Sequence, residues 1–142
     1  MTNLSIKEKS IKEKSVIEKP IIEKEKTLAI INSKAPYSNI AGKDALDIAL
    51  IFASFEQAPA LFFQGDGVWQ LIADQNGSLI SVKDYLKTFA AFEFYDIEDI
   101  YVCQESLNAR NLSASFHIEK VQMLSKQAFA QQLATYNSIL RF

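Results

Sequence analysis

Cysteine and histidine are nearly absent: Cys103 and His117 are the single examples in 142 residues. One thiol excludes an internal disulfide framework. One thiol and one imidazole also fall short of a four-ligand zinc site. A reducing compartment is the expected setting. Glycine is scarce as well, at 4 residues, and neither G-x-G-x-x-G nor G-x-x-x-x-G-K-[ST] occurs, which argues against a phosphate cradle. Long apolar runs are missing. Stretches such as Pro59–Phe63 fall far short of the roughly 20 residues that cross a bilayer. The Lys/Glu-rich start lacks the apolar stretch of a secretory leader. These absences predict a cytoplasmic protein with no membrane association and no cofactor.

What is present suits one folded domain. Apolar residues make up 49% of the chain, and its mean hydropathy is +0.00, an ordinary globular balance. Charge is split unevenly. Residues 1–26 hold 7 of the 15 basic residues and 5 of the 17 acidic ones, so they carry net +2. The remaining 8 basic and 12 acidic residues give net −4. A domain of that sign is a poor grip for a phosphate backbone, so no direct nucleic-acid contact is expected.

The first 26 residues form a Lys/Glu-rich tail. Ser5–Lys9, Ser10–Lys14, Ser15–Lys19 and Pro20–Lys24 are four five-residue repeats close to S-I-K-E-K. A five-residue step turns about 140° around a helix, so the aliphatic residues share no helical face. An odd period also flips faces along a strand, and Pro20 interrupts a helix. The tail reads as disordered, a docking arm or a plain low-complexity extension.

The domain, residues 27–142, alternates short apolar runs with helical patterns. Strands are predicted at Thr27–Asn32, Ala58–Phe63, Ile100–Cys103, His117–Met123 and Ser138–Phe142. Helices are predicted at Ala41–Phe55, with Ala45, Ile48, Ala49, Phe52 and Phe55 at helical spacing, and at Val82–Phe92, with Tyr85, Leu86, Phe89 and Phe92 inward. Gln104–Ala109 reads as a short helix, and Ser125 as the N-cap of a helix over Lys126–Tyr136. Such alternation predicts an α/β fold with a mainly parallel five-stranded sheet and helices on both faces.

Ligands in such sheets gather beyond the carboxyl ends of the strands. That rule selects the loops 33–39 and 64–69 and the segment from Cys103 to Glu105. Cys103 closes a buried strand ahead of a helix, whose N–H groups favour a thiolate. Glu105 opposes that by like charge. A packed thiol is the plain alternative. Gly65-Asp66-Gly67 reads as a turn using glycine for positive φ or as a backbone anion nest. Asp96, Glu98 and Asp99 precede the third strand and so sit at the other end of the sheet. A solvated strand start explains them more simply than a metal site. His117 reads as a surface or strand-edge histidine. Phe63, Asp66 and Trp69 flank or occupy the glycine turn and are candidate interface residues, Trp69 being either an anchor or a lid over the core.

Five stretches then resemble one family in order. Ala35-Pro36-Tyr37 through Ala41-Gly42-Lys43-Asp44-Ala45-Leu46-Asp47 resembles the first loop and helix of the TusC family, related to DsrF. Phe62-Phe63-Gln64-Gly65-Asp66-Gly67-Val68-Trp69-Gln70-Leu71 is similar to its second strand and loop. Asp84-Tyr85, Phe89 and Tyr95-Asp96-Ile97-Glu98 continue the likeness. Val102-Cys103, Ser106-Leu107, Arg110 and Leu112 resemble its cysteine loop, and Tyr136 to Phe142 its ending.

The resemblance implies a DsrE/F-like fold and a place in a sulfur relay. TusC joins TusB and TusD in a heterohexamer, a dimer of heterotrimers. Sulfane sulfur passes through it to TusE and onward to 2-thiolation of the wobble uridine of tRNA. The working persulfide belongs to TusD, so an accessory, non-catalytic subunit is the implied role here, with Cys103 as the matching position. The catalytic paralogue has small residues after its cysteine and a glycine after its arginine. Here Gln104-Glu105 and Asn111 stand at those places. Two alternatives stay open: a sulfurtransferase that carries sulfur on Cys103, and a DsrF-like subunit of dissimilatory sulfur oxidation.

Overall fold

The computed structural model describes residues 26–36, 40–73 and 85–142. The repeats, Tyr37–Asn39 of the first loop and Val82–Asp84 at the start of the second predicted helix lie outside the described residues. Strands β1 (Leu28–Asn32), β2 (Ala60–Phe63) and β3 (Ile100–Cys103) are buried at every position. Strands covered on both faces read as continuous apolar runs, which is why these three were visible in the sequence. Strands β4 (Val121–Leu124) and β5 (Ser138–Arg141) complete one sheet in the order β4-β3-β2-β1-β5. Every pairing is parallel.

Side chains alternate between two packed layers. Leu28, Ile30, Leu61, Phe63, Ile100 and Val102 face the larger layer, under helix α1 (Ala41–Ser54). Ala29, Ile31, Ala60, Phe62, Tyr101 and Cys103 face the smaller one. There Phe129 of helix α3 (Lys126–Leu133) meets Phe62 edge-on at 5.2 Å. Ser125 caps α3 as its sequence suggested, accepting from the Ala128 N–H at 3.1 Å.

Three predicted elements change. The inward face of α1 is Gly42, Ala45, Leu46, Ala49 and Ala53, while Phe52 and Phe55 are exposed, Phe55 by 72%. Small residues let the helix approach the sheet, and periodicity alone cannot choose Ala53 over its neighbour Phe52. The second predicted helix is a 3₁₀ segment, Tyr85–Ala91. Leu86 and Phe89 within it, and Phe92 just after it, are buried at a spacing of three, which is the 3₁₀ repeat. His117 lies outside β4. Its N–H donates to the Leu71 carbonyl at 2.9 Å, beside an isolated antiparallel bridge between Ile72 and Phe116. An exposed edge strand has weak alternation, so its start was misplaced by four residues, from 117 to 121.

Candidate functional site

The carboxyl ends of β1, β2 and β3 bring three segments together. Beyond β2 the chain turns at Gly65, whose φ is +55°, into a 3₁₀ segment, Gly65–Leu71. This is the glycine turn expected from sequence, and it leads straight into helical structure. Gly67 is held more tightly still. A Cβ there would lie 1.9 Å from the Asn32 carbonyl oxygen, so the backbone of the turn packs directly on the end of β1. The Gln64 N–H donates to the same carbonyl at 3.1 Å.

Helix α2 (Gln104–Ala109) ties this turn to β3. The Gly65 N–H donates to Ser106 Oγ at 2.9 Å. Arg110 Nε donates to Asp66 Oδ1 at 3.0 Å, and Arg110 Nη1 to the Ser106 carbonyl at 3.1 Å. Sequence reasoning missed Ser106 as the link, because nothing local marks a serine as the acceptor of an amide 41 residues away.

Gln70 was also missed. It is 1% exposed, its Nε2 donates to the Lys34 carbonyl at 3.0 Å, and its own carbonyl accepts from His117 at 2.7 Å. A carbonyl can only accept, so Nε2 of His117 carries the hydrogen. Among the described residues, Gln70 Oε1 is a buried acceptor with no hydrogen-bond partner, an arrangement that costs about 1–3 kcal/mol.

Cys103 ends β3 and is the N-cap residue of α2, as the sequence implied. Its side chain turns to the other layer, 6% exposed, among Phe62, Tyr101, Phe129 and Leu124. The Ser106–Arg110–Asp66 network and the thiol therefore leave the same strand end in different directions. Glu105 is exposed and stands 3.7 Å from Lys126 Nζ, which offsets its charge near the helix start. Buried among apolar side chains, a thiol is screened from solutes and from attack.

Residues 26–142 match the model of the DsrE/DsrF-like family. The chain belongs to the DsrE/DsrF-like family. Its fold is also that of the ychN protein from E. coli, whose crystal structure superposes with a TM-score of 0.67 at 18% identity, covering 82% of this chain and 99% of that one. DsrE/DsrF-like proteins are associated with sulfur relay.

Within this DsrE/DsrF-like domain the predicted interface residues separate. Phe63 is a core residue, 1% exposed, with its ring 6.2 Å from that of Phe89. Asp66 is exposed and Trp69 is half-buried on the 3₁₀ segment. Asp96, Glu98 and Asp99 lie ahead of β3, at the far end of the sheet from Cys103, and the Asp99 carbonyl accepts from the Leu61 N–H at 2.8 Å. Among the described residues, no three His, Cys, Asp or Glu side chains group as metal ligands, and no helix is long and apolar enough to cross a membrane.

Proposed function

We propose that this DsrE/DsrF-like chain is an accessory subunit of a sulfur-relay complex of the TusBCD type. In this reading the complex passes persulfide sulfur toward 2-thiolation of wobble uridine in tRNA. The observation that carries it is the sequestered thiol: the family's chemistry runs on an accessible cysteine, and the single cysteine here is buried under α3. The reactive cysteine then belongs to a TusD-like partner, with a TusB-like subunit completing a heterohexamer and a TusE-like protein accepting the sulfur. Asp66 and Trp69, on the turn fixed by Arg110 and Ser106, form the part of the strand-end surface offered to those subunits.

Native mass spectrometry of the tagged chain, purified from its own cells, tests this. A heteromer with two similarly small partners, and persulfide on a partner's cysteine, is the expected result. A lone monomer or a simple homo-oligomer overturns it. Trp69→Ala is expected to weaken the heteromer.

A second reading has one specific observation in its favour, the place of Cys103 between the end of β3 and the first turn of α2. There a Cys103 thiolate would attack the outer sulfur of a donor persulfide, forming its own persulfide as the donor's thiolate leaves. Intact-mass analysis of the native complex after a sulfane donor decides it. A gain of one sulfur atom on this chain supports the carrier reading. An unmodified chain beside a loaded partner removes it.

A further inference from the structure

The sheet ends on an open strand. β5 pairs with β1 on one side and is exposed at every position. The Ser138 N–H donates to the Thr27 carbonyl at 2.8 Å, and the Phe142 N–H to the Ile31 carbonyl at 2.9 Å. Alternate residues of a parallel strand turn their backbone groups toward one neighbour, so those of Ile139 and Arg141 point away from the sheet. Soluble proteins blunt such edges with proline, lysine, a bulge or a covering element. Ser138–Arg141 has neither proline nor lysine, and its register with β1 is unbroken. Ile139 and Leu140 are 43% and 37% exposed on opposite faces.

An apolar flank of α1 adjoins this edge. Leu140 is the register partner of Ile30, in the layer under α1. The right-handed β1–α1–β2 crossover sets β2 on one side of α1 and β5 on the other. Leu46 is on the β2 side, where it lines a small cavity with Leu61 and Phe63. Leu46 and Leu50 each follow an inward alanine, Ala45 or Ala49. Ile48 and Phe52 each precede one, Ala49 or Ala53, so they lie about 100° the other way. Ile48, Phe52 and Phe55 therefore line the β5 side, with Phe52 37% and Phe55 72% exposed.

The size of the patch points to its occupant. The open parts of Phe52 and Phe55 come to about 160–270 Å², and Ile139 and Leu140 bring the total to about 300 Å². A dimer of standard size takes about 800 Å² from each copy, a little over half of it apolar. The strand edge, Ile48 and Ile51 supply more. Spacing agrees. If β5 met β5 of a second copy, the two β1 strands would stand three strand spacings apart, about 14 Å. Helices over those strands would sit a few ångströms wider than the 8–10 Å of close helix packing, a space that phenylalanine rings fill.

We propose that β5 pairs antiparallel with β5 of a second copy of this chain, about a two-fold axis at Leu140, joining two five-stranded sheets into one. Ile139 of each copy then exchanges both backbone hydrogen bonds with Arg141 of the other. Leu140 faces Leu140, and the Phe52 and Phe55 flanks close over them. The arrangement is self-complementary, as a two-fold interface requires, and sets each Arg141 opposite an isoleucine instead of its own copy. It involves this chain alone, so it is independent of the sulfur-relay reading.

The test uses the full chain. Sedimentation at tens of micromolar is expected to give the dimer mass. Phe52→Asp with Phe55→Asp, both at exposed positions, is expected to weaken association at least tenfold. Cross-linking fixes the register. Directly opposed residues outside the hydrogen-bonded pairs have Cα atoms about 4.5 Å apart, within disulfide reach. Leu140→Cys should therefore form a covalent dimer on oxidation, located by peptide mass apart from the buried native Cys103. Ile139→Cys should not, since its copy lies two residues out of register, about 8 Å away. A monomer at every concentration overturns the proposal. So does a dimer that the aspartates leave intact and Leu140→Cys does not link. A Leu140→Cys link found only to a different polypeptide, in the complex purified from its own cells, puts another partner on the edge and also overturns it.

Discussion

Arg110 and Asp66, 44 residues apart in the chain, meet at 3.0 Å and join the loop after β2 to the helix after β3. Asp66 is 62% exposed at its side chain, and an ion pair so open to water contributes about 0–1 kcal/mol. Its role is local alignment. Arg110→Ala is expected to lower global stability by no more than about 1.5 kcal/mol, counting the added bond to Ser106. Amide exchange at Gly65, whose N–H is held by Ser106, should quicken in the same variant. A loss as large as that of a core truncation would show that the pair does more than align the turn.

Two glycines in that turn should respond differently to alanine. Gly67→Ala forces a Cβ to 1.9 Å from a backbone oxygen, which a side chain cannot relieve by rotating. Overpacking of this kind costs about 1–3 kcal/mol, occasionally more. Gly65→Ala meets nothing closer than 3.9 Å and bears only its positive φ, about 1–2 kcal/mol. Denaturant unfolding of both variants should rank Gly67→Ala as the more damaging, and the reverse order would contradict the close approach to Asn32.

Cys103 should react slowly with thiol reagents in the folded chain. Phe129 is 4% exposed in the cluster that covers the thiol. Phe129→Ala should cost about 3–5 kcal/mol, and each ~1.4 kcal/mol is a factor of ten in an equilibrium. Labelling of Cys103 is therefore expected to quicken by at least about tenfold. Fast labelling of the unaltered chain would show that the thiol is reachable and would strengthen the sulfur-carrier reading.

Stability should fall in alkali through two tyrosines. Burial, and then the Asp99 carboxylate, raise the Tyr101 hydroxyl above its ordinary 10.0. Tyr136 is raised as well, by burial first and then by Tyr101 and Asp99. The unfolded chain releases these protons near the ordinary value and the folded chain holds them to higher pH. Their stabilisation is complete below about pH 10 and is lost as pH rises through the folded-state values. Denaturant midpoints measured across that range should decline, and Tyr136→Phe should flatten the decline. An equal slope in the variant would rule Tyr136 out as a source.

The central strands were legible because they are covered on both faces, so residues 28–31 and Ile100–Cys103 read as unbroken apolar runs. The glycine turn and the place of Cys103 at a strand end followed from residue types that only certain backbone positions favour. The inner face of α1 did not follow, since Phe52 and Ala53 fit the helical period almost equally and only contact with the sheet excludes the larger ring. The edge strand β4 was blurred for a related reason: it is only partly buried, so no fully covered side marks where its pattern starts, whereas β5 begins at Ser138 as the sequence predicts and ends one residue sooner.

By itself, then, the sequence determined the class of fold, the strand cores and the single thiol, because burial and backbone conformation constrain residue type locally. Tertiary structure alone decided that Cys103 points under α3 while Ser106 and Arg110 reach toward Gly65 and Asp66. It also decided that His117 leaves β4 to hold the Gln70 carbonyl. Those outcomes depend on which strands become neighbours, and residues tens of positions apart carry no local mark of the partner they will meet.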